Sequence, residues 1–263
     1  MNILDQIIAN KSLEVENNKV ARPLTLLKES GHYQRQGLSL KKKLQQHPGI
    51  IAEFKRRSPS KGIIRQDASV QEITQSYESH GASACSILTD NMFFDGHPSD
   101  IIAVRSLLHI PILRKDFIID SYQIDEAKSI GADLILLIAE CLTKAQVADF
   151  TRQAHDLGLE VLMELHEQEE LSKWNPDIDL LGINNRDLRS FHTGIERSLN
   201  LSVYLPRESV WISESGLKGT EELHQLASAG YKGFLIGETF MKADDPGELC
   251  GEFVESLSKT RQP

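Results

Sequence analysis

Aliphatic and β-branched residues gather in eight short runs, at 50–54, 84–88, 110–113, 134–138, 159–163, 180–183, 209–212 and 233–236. Between several of them the pattern changes to the 3.6-residue period of an amphipathic helix, at 70–80, 120–130, 144–157 and 220–229. A strand of about five residues, a helix of about eleven and two short loops fill each interval. Eight such beats in succession predict an α/β chain folded as a (β/α)8 TIM barrel, which takes about 250 residues. Gly81, Gly131, Gly158 and Gly230 stand at the ends of helical runs, where a left-handed C-cap turns the chain toward the next strand. The competing architecture is a doubly wound open sheet, but that usually holds five or six strands.

The first 49 residues precede this pattern. Ile3, Leu4, Ile7, Ile8 and Val15 predict one amphipathic helix, and a second helical piece is expected over 38–46. The expected organisation is therefore a helical extension over 1–49 packed on a barrel over 50–263. No repeat, low-complexity linker or internal boundary interrupts it.

Composition narrows the function. A net charge of −9 argues against nucleic-acid or membrane-surface partners, which need basic clusters. Three scattered cysteines without a CxxC pair argue against a disulfide framework and suit a reducing cytoplasm. The N-terminus has no secretory pattern, and no apolar run reaches the roughly 20 residues of a membrane span.

A barrel of this kind builds its active site from the C-terminal ends of the strands. Glu53 and Lys55 end the first run two residues apart, so a strand places both on one face. Lys115 ends the third, Glu164 the fifth, and Asn184 and Arg186 the sixth. A lysine beside a second ammonium is expected to have a depressed pKa and to serve as an acid or base. The seventh and eighth runs lead into Ser213-Glu214-Ser215-Gly216 and Gly237-Glu238-Thr239, glycine-bearing loops where this fold commonly binds phosphate. Taken singly, each feature has an ordinary reading as a strand-end ion pair or turn. No histidine pattern predicts a metal, although His166 lies two residues past Glu164, and no GxGxxG or P-loop predicts a nucleotide.

Together these stretches resemble the indole-3-glycerol phosphate synthase family. The likeness rests on Ile51-Ala52-Glu53-Phe54-Lys55 with Ser58-Pro59-Ser60-Lys61-Gly62, on Phe93-Phe94-Asp95-Gly96, and on Leu113-Arg114-Lys115-Asp116-Phe117. It continues through Gly182-Ile183-Asn184-Asn185-Arg186-Asp187, Ser213-Glu214-Ser215-Gly216 and Leu235-Ile236-Gly237-Glu238, in order over about residues 50 to 240. The resemblance implies a lyase of tryptophan biosynthesis that closes the indole ring, with no metal and no cofactor. It implies that Lys115 is the general acid and Glu164 an acid/base, with Glu53 and Lys55 positioning them and the substrate carboxylate. Asn184, Arg186 and Ser215 would orient the intermediate. Phe94, Phe117 and Leu136 would line the aryl slot. Ser58, Pro59, Glu214, Gly216, Gly237 and Glu238 would complete the substrate and phosphate contacts.

Three positions depart from the pattern: an acid at 238 where some relatives carry a hydroxyl, His97 where serine is common, and no aromatic before Tyr33. An acid beside a phosphate must turn its side chain away. The rival readings are another sugar-phosphate barrel, such as phosphoribosylanthranilate isomerase, or a non-catalytic barrel that binds a pathway enzyme. The isomerases are expected to use Cys/Asp or Asp/Asp pairs, whereas this chain offers Lys, Lys and Glu. The expected partner is a phosphorylated small molecule, and weak association with other tryptophan-pathway enzymes can coexist with it. The length leaves no room for a fused second barrel, so a monofunctional enzyme is expected.

Overall fold

A computed structural model of the protein describes residues 3–187 and 192–259. Eight parallel strands close into a barrel: β1 (Gly49–Phe54), β2 (Ala84–Leu88), β3 (Ile112–Lys115), β4 (Leu134–Ile138), β5 (Glu160–Leu165), β6 (Leu180–Asn184), β7 (Val210–Glu214) and β8 (Gly233–Ile236). Each strand pairs with its chain neighbours, and β8 returns to β1 in the register Gly49↔Gly233. The predicted third run shifts two residues, to start at Ile112. Pro111 has no N–H to give the ladder, and Asp133 accepts the Ile112 N–H at 2.8 Å.

The period of two fixes what faces inward. Ile51, Leu113, Leu134, Leu162, Ile212 and Leu235 form the barrel's inner core. Their neighbours Ile50, Ala52, Cys85, Ile135, Val161 and Phe234 face outward under the helices. Two residues further along the inward face come Glu53, Lys115, Leu136, Glu164 and Glu214. The polar set therefore stands directly on the apolar plug.

Helices cover the outside: α4 (Val70–Ser79), α6 (Pro98–Arg105), α7 (Tyr122–Ile130), α8 (Lys144–Asp156), α9 (Glu196–Leu201), α10 (Thr220–Ser228) and α12 (Pro246–Lys259), with the short α5 (Asn91–Phe94) and α11 (Glu238–Met241) in loops. The fifth beat departs from the prediction. A 3₁₀ turn, Gln168–Lys173, stands where a helix was expected between β5 and β6.

The extension forms α1 (Ile3–Ala21), α2 (Leu24–Lys28) and α3 (Leu40–Gln46). These serve opposite ends of the barrel. Leu40 and Leu44 of α3 join the inner core and plug its floor, while Ser39 caps α3 by accepting the Lys42 N–H at 3.0 Å. Residues of α1 instead line the open end. No described helix is long and apolar enough to cross a membrane.

Candidate active site

The strand ends open into a cavity of about 520 Å³, and every candidate residue named from the sequence lines it. At its centre the Lys115 ammonium lies 2.8 Å from Glu164 and 2.5 Å from Glu214. Burial alone lowers a lysine pKa, but these two carboxylates outweigh it and raise Lys115 above its usual value. This corrects the expected depressed lysine: Lys115 faces carboxyl groups, not a second ammonium, and is held protonated. Lys55 pairs instead with Glu53, at 2.5 Å.

The two glutamates beside Lys115 are pushed apart. Burial raises Glu164, but Lys115, His166 and the Asn184 amide (3.0 Å) together lower it to about 2. Glu214 lacks that support. Burial, with Glu164 nearby, pushes it up to about 8 despite Lys115, and its second oxygen Oε1 has no hydrogen-bond partner. A base and an acid thus share one ammonium. Glycines make the room: a Cβ on Gly182 would collide with the Glu214 carboxylate, and one on Gly237 with that of Glu53.

Asn184 also accepts the Arg186 N–H, at 3.0 Å. Arg186 reaches across the mouth to Ser60 Oγ and Glu238 Oε2, both at 3.1 Å. Glu238 does not turn out of the cavity as expected. It lines the wall, paired with Arg186 and, at 2.7 Å, with Lys242, and these cations hold its pKa below the usual carboxylate value against burial. Gly216 adopts φ +76°, and Ser215, at φ +65°, takes the same left-handed conformation without being glycine. Asn185 pins this turn by donating to Ser213 Oγ and to the Ser215 carbonyl, at 2.9 and 3.1 Å. Ser58 is buried near Ser60, at 3.4 Å between their hydroxyls.

The opposite wall is apolar. Phe94 and Phe117 lie 6.0 Å apart between ring centroids, beside Leu88, Leu136 and Ile138. Ile3, Leu4 and Ile7 of α1 close this wall, so aliphatic side chains stand where no N-terminal aromatic was available.

Sequence reasoning missed what fixes α1. Lys11 is fully buried and pairs with Asp116 (2.9 Å), Asp90 (3.0 Å) and Glu14 (2.9 Å). The signal was present, because Leu4, Ile7, Lys11 and Val15 make one buried stripe and a lysine interrupts it. Among the described residues, Glu140, His166 and Glu170 have ligand atoms close enough for a metal ion. Glu170 already has a local task, however, accepting the backbone N–H groups of His166 and Glu167 at 2.7 and 3.2 Å.

Comparison with known proteins supplies the context. Residues 4–253 match the family described as indole-3-glycerol phosphate synthase. A protein of that name from Bacteroides thetaiotaomicron is 50% identical over 97% of this chain and 98% of its own. One from Legionella pneumophila (strain Paris) is 42% identical over 96% of this chain and 98% of its own. Among solved structures, KGPDC from Streptococcus mutans superposes with a TM-score of 0.65 at 13% identity, over 81% of this chain and 99% of that one. That last likeness speaks to the barrel alone.

Proposed function

The chain belongs to the indole-3-glycerol phosphate synthase family, and from that premise we propose how its residues divide the reaction. It is a decarboxylating lyase of tryptophan biosynthesis that converts 1-(2-carboxyphenylamino)-1-deoxyribulose 5-phosphate to indole-3-glycerol phosphate, CO2 and water. The observation that carries the assignment of roles is Lys115, protonated between Glu164 and Glu214 at the edge of an aromatic slot.

The aryl ring packs between Phe94, Phe117, Leu136 and the α1 side chains. The phosphate sits at the opposite side, against the backbone of Gly216, Gly237 and Glu238, with Ser58 and Pro59 closing over it. Glu238 tolerates the phosphate because Arg186 and Lys242 already neutralise its carboxylate. Lys55, steered by Glu53, faces the substrate carboxylate.

Lys115 gives its proton to the ketone oxygen as the carboxyl-bearing ring carbon attacks the ketone carbon. A C–C bond forms and the carbonyl becomes a hydroxyl. The bond to the carboxylate then breaks, CO2 leaves, and its electron pair restores the aromatic ring. In the last step Glu164 removes a proton from the methylene carbon while the hydroxyl leaves as water, taking a proton from Lys55. The enzyme thus gives two protons and takes one, which matches a carboxylate leaving as neutral CO2. Asn184, Arg186 and Ser215 hold the glycerol chain, and Glu214 holds Lys115 in place. Fixed charges of this kind act strongly because the site is shielded from water.

Purified protein given the carboxyphenylamino substrate is expected to produce indole fluorescence and CO2, undiminished by EDTA. Absence of turnover overturns the proposal.

A further inference from the structure

His166 follows Glu164 on the inward face of the β5 end and lines the same cavity, yet no step above uses it. The residue is 5% exposed, and neither ring nitrogen has a hydrogen-bond partner. A buried imidazole carries at least one N–H, and leaving it without an acceptor is costly. The nearest acceptors are Glu164 Oε1, 3.5 Å from Nε2, and Glu140 Oε2, 3.8 Å from Nδ1. The backbone is already fixed, because Glu170 holds the His166 N–H at 2.7 Å. Only a small ring movement separates Nε2 from hydrogen-bond distance.

Glu164 has room for that bond. Asn184 donates to its Oε1 and Lys115 to its Oε2, and a carboxylate offers about four lone-pair sites. We propose that His166 is a positioning residue for Glu164, whose Nε2–H takes hold of the carboxylate when Lys115 turns its proton toward the substrate. The structure shows the carboxylate tethered on two sides, and one tether is the very group that must leave to do chemistry. Without a second donor, Glu164 would be left with the Asn184 bond alone just before it has to meet the methylene proton. His166 supplies the replacement from the side away from Lys115.

This inference rests on Glu164 acting as the base, and the test separates the two ideas. Single-turnover and steady-state kinetics are measured for His166→Met, His166→Gln, Glu164→Gln and the combination of His166→Met with Glu164→Gln. H166M fills the space without a donor, whereas H166Q restores an N–H near the Nε2 position. H166M is expected to lose roughly ten- to hundredfold in kcat, the scale of one hydrogen bond to a charged group. Its KM should stay within about twofold, because substrate binding does not depend on the tether. H166Q should recover most of kcat, and H166M should cost nothing further in the E164Q background. His166→Phe serves as the donor-free variant if H166M does not fold. A near-wild-type H166M, an H166Q as impaired as H166M, or an undiminished H166M loss in the E164Q background overturns the inference alone. An E164Q enzyme of wild-type activity overturns the role of Glu164, and this inference with it.

Discussion

Consecutive residues at the end of β3 belong to two buried ion clusters, both of cations shared among carboxyl groups. Lys115 points into the barrel, to Glu164 and Glu214. Arg114 and Asp116 point the other way and meet Lys11, Asp90 and Glu126 behind the barrel wall. The outer cluster is the more fully paired, with Asp90 Oδ2 held by Lys11 as an ion pair at 3.0 Å. Arg114 donates to Thr89, the Gln123 carbonyl, Asp116 and Glu126, and Lys11 spans three carboxylates. Asp116 is accordingly held well below the usual carboxylate pKa, since Lys11 and Arg114 outweigh its burial. The inner cluster keeps a spare oxygen on Glu214, a raised carboxyl and a cavity above it. Both are built from the same kinds of group; what differs is pairing and access. A cluster closed off and largely paired locks one geometry, and an incomplete one facing a cavity has protons to exchange.

The largest effects should split the clusters by kind. Lys115→Met is expected to lose about 10²- to 10⁴-fold in kcat, the range for a general acid, with little change in thermal stability. A variant near wild-type rate removes Lys115 from its role. Lys11→Met should do the reverse. It strands Asp90 and Asp116 without their shared cation, and breaking a buried pair in this way costs about 3–5 kcal/mol. Denaturant unfolding should show that loss, and the remaining folded enzyme should bind substrate less tightly, because α1 carries Ile3, Leu4 and Ile7 onto the aryl wall. Unchanged stability in K11M would mean that the outer cluster does not anchor the helix.

How far each cluster was legible in the sequence follows from this difference. The inner set lies at the C-terminal ends of β1, β3, β5 and β6, so a period of two and eight hydrophobic runs were enough to bring Glu53, Lys115, Glu164 and Asn184 together. The outer set depends on α1 docking against the ends of β2 and β3, which no local pattern states. Lys11 on an apolar stripe announced a buried partner but not which one. The same reason hid the role of α3, a helix expected over 38–46: Leu40 and Leu44 read as an ordinary helix face, and only the closed barrel shows an open floor for them to fill. The interval between β5 and β6 is long enough for a helix, but a 3₁₀ turn at Gln168–Lys173 fills it, shaped by Glu170 accepting the His166 and Glu167 N–H groups. The Lys115 pKa was misjudged for a related reason. The strand ends were matched by type without their order round the barrel, which seats Lys115 against carboxylates.

A smaller effect tests the incomplete cluster through pH. Burial and the nearby Glu164 push Glu214 up to about 8, so its ionisation on raising the pH adds a second negative charge beside Lys115. That strengthens the hold on the Lys115 proton and weakens it as an acid, so kcat should fall as pH rises through about 8. Glu214→Gln imitates the protonated form and should flatten that fall while leaving the rate below it within a few fold. Stability should move in the corresponding sense. The unfolded chain releases this proton near the ordinary carboxylate value and the folded chain only near 8, so rising pH across that window favours unfolding. The E214Q protein should lack that decline. A wild-type decline that persists in E214Q assigns it to another group.

The smallest effect is expected from the carboxylate that matches Glu214 in the outer cluster. Glu14 is the surplus acid there, bonded to Lys11 at 2.9 Å but partly open to solvent, and burial raises its pKa despite that lysine. Lys11 keeps Asp90 and Asp116 when Glu14 is neutralised, so no buried charge is stranded. Glu14→Gln should therefore cost only about 0.5 kcal/mol, the value of an exposed ion pair, and leave kcat and its pH profile unchanged. The pairing of E14Q with E214Q is informative because each removes one ionisable carboxyl from a lysine with other partners. If redundancy alone governed the outcome, both would be silent. A pH profile altered by E214Q and untouched by E14Q locates the difference in the cavity that Glu214 faces and Glu14 does not. An E14Q protein that loses several kcal/mol would show instead that the outer cluster is tuned as tightly as the inner one.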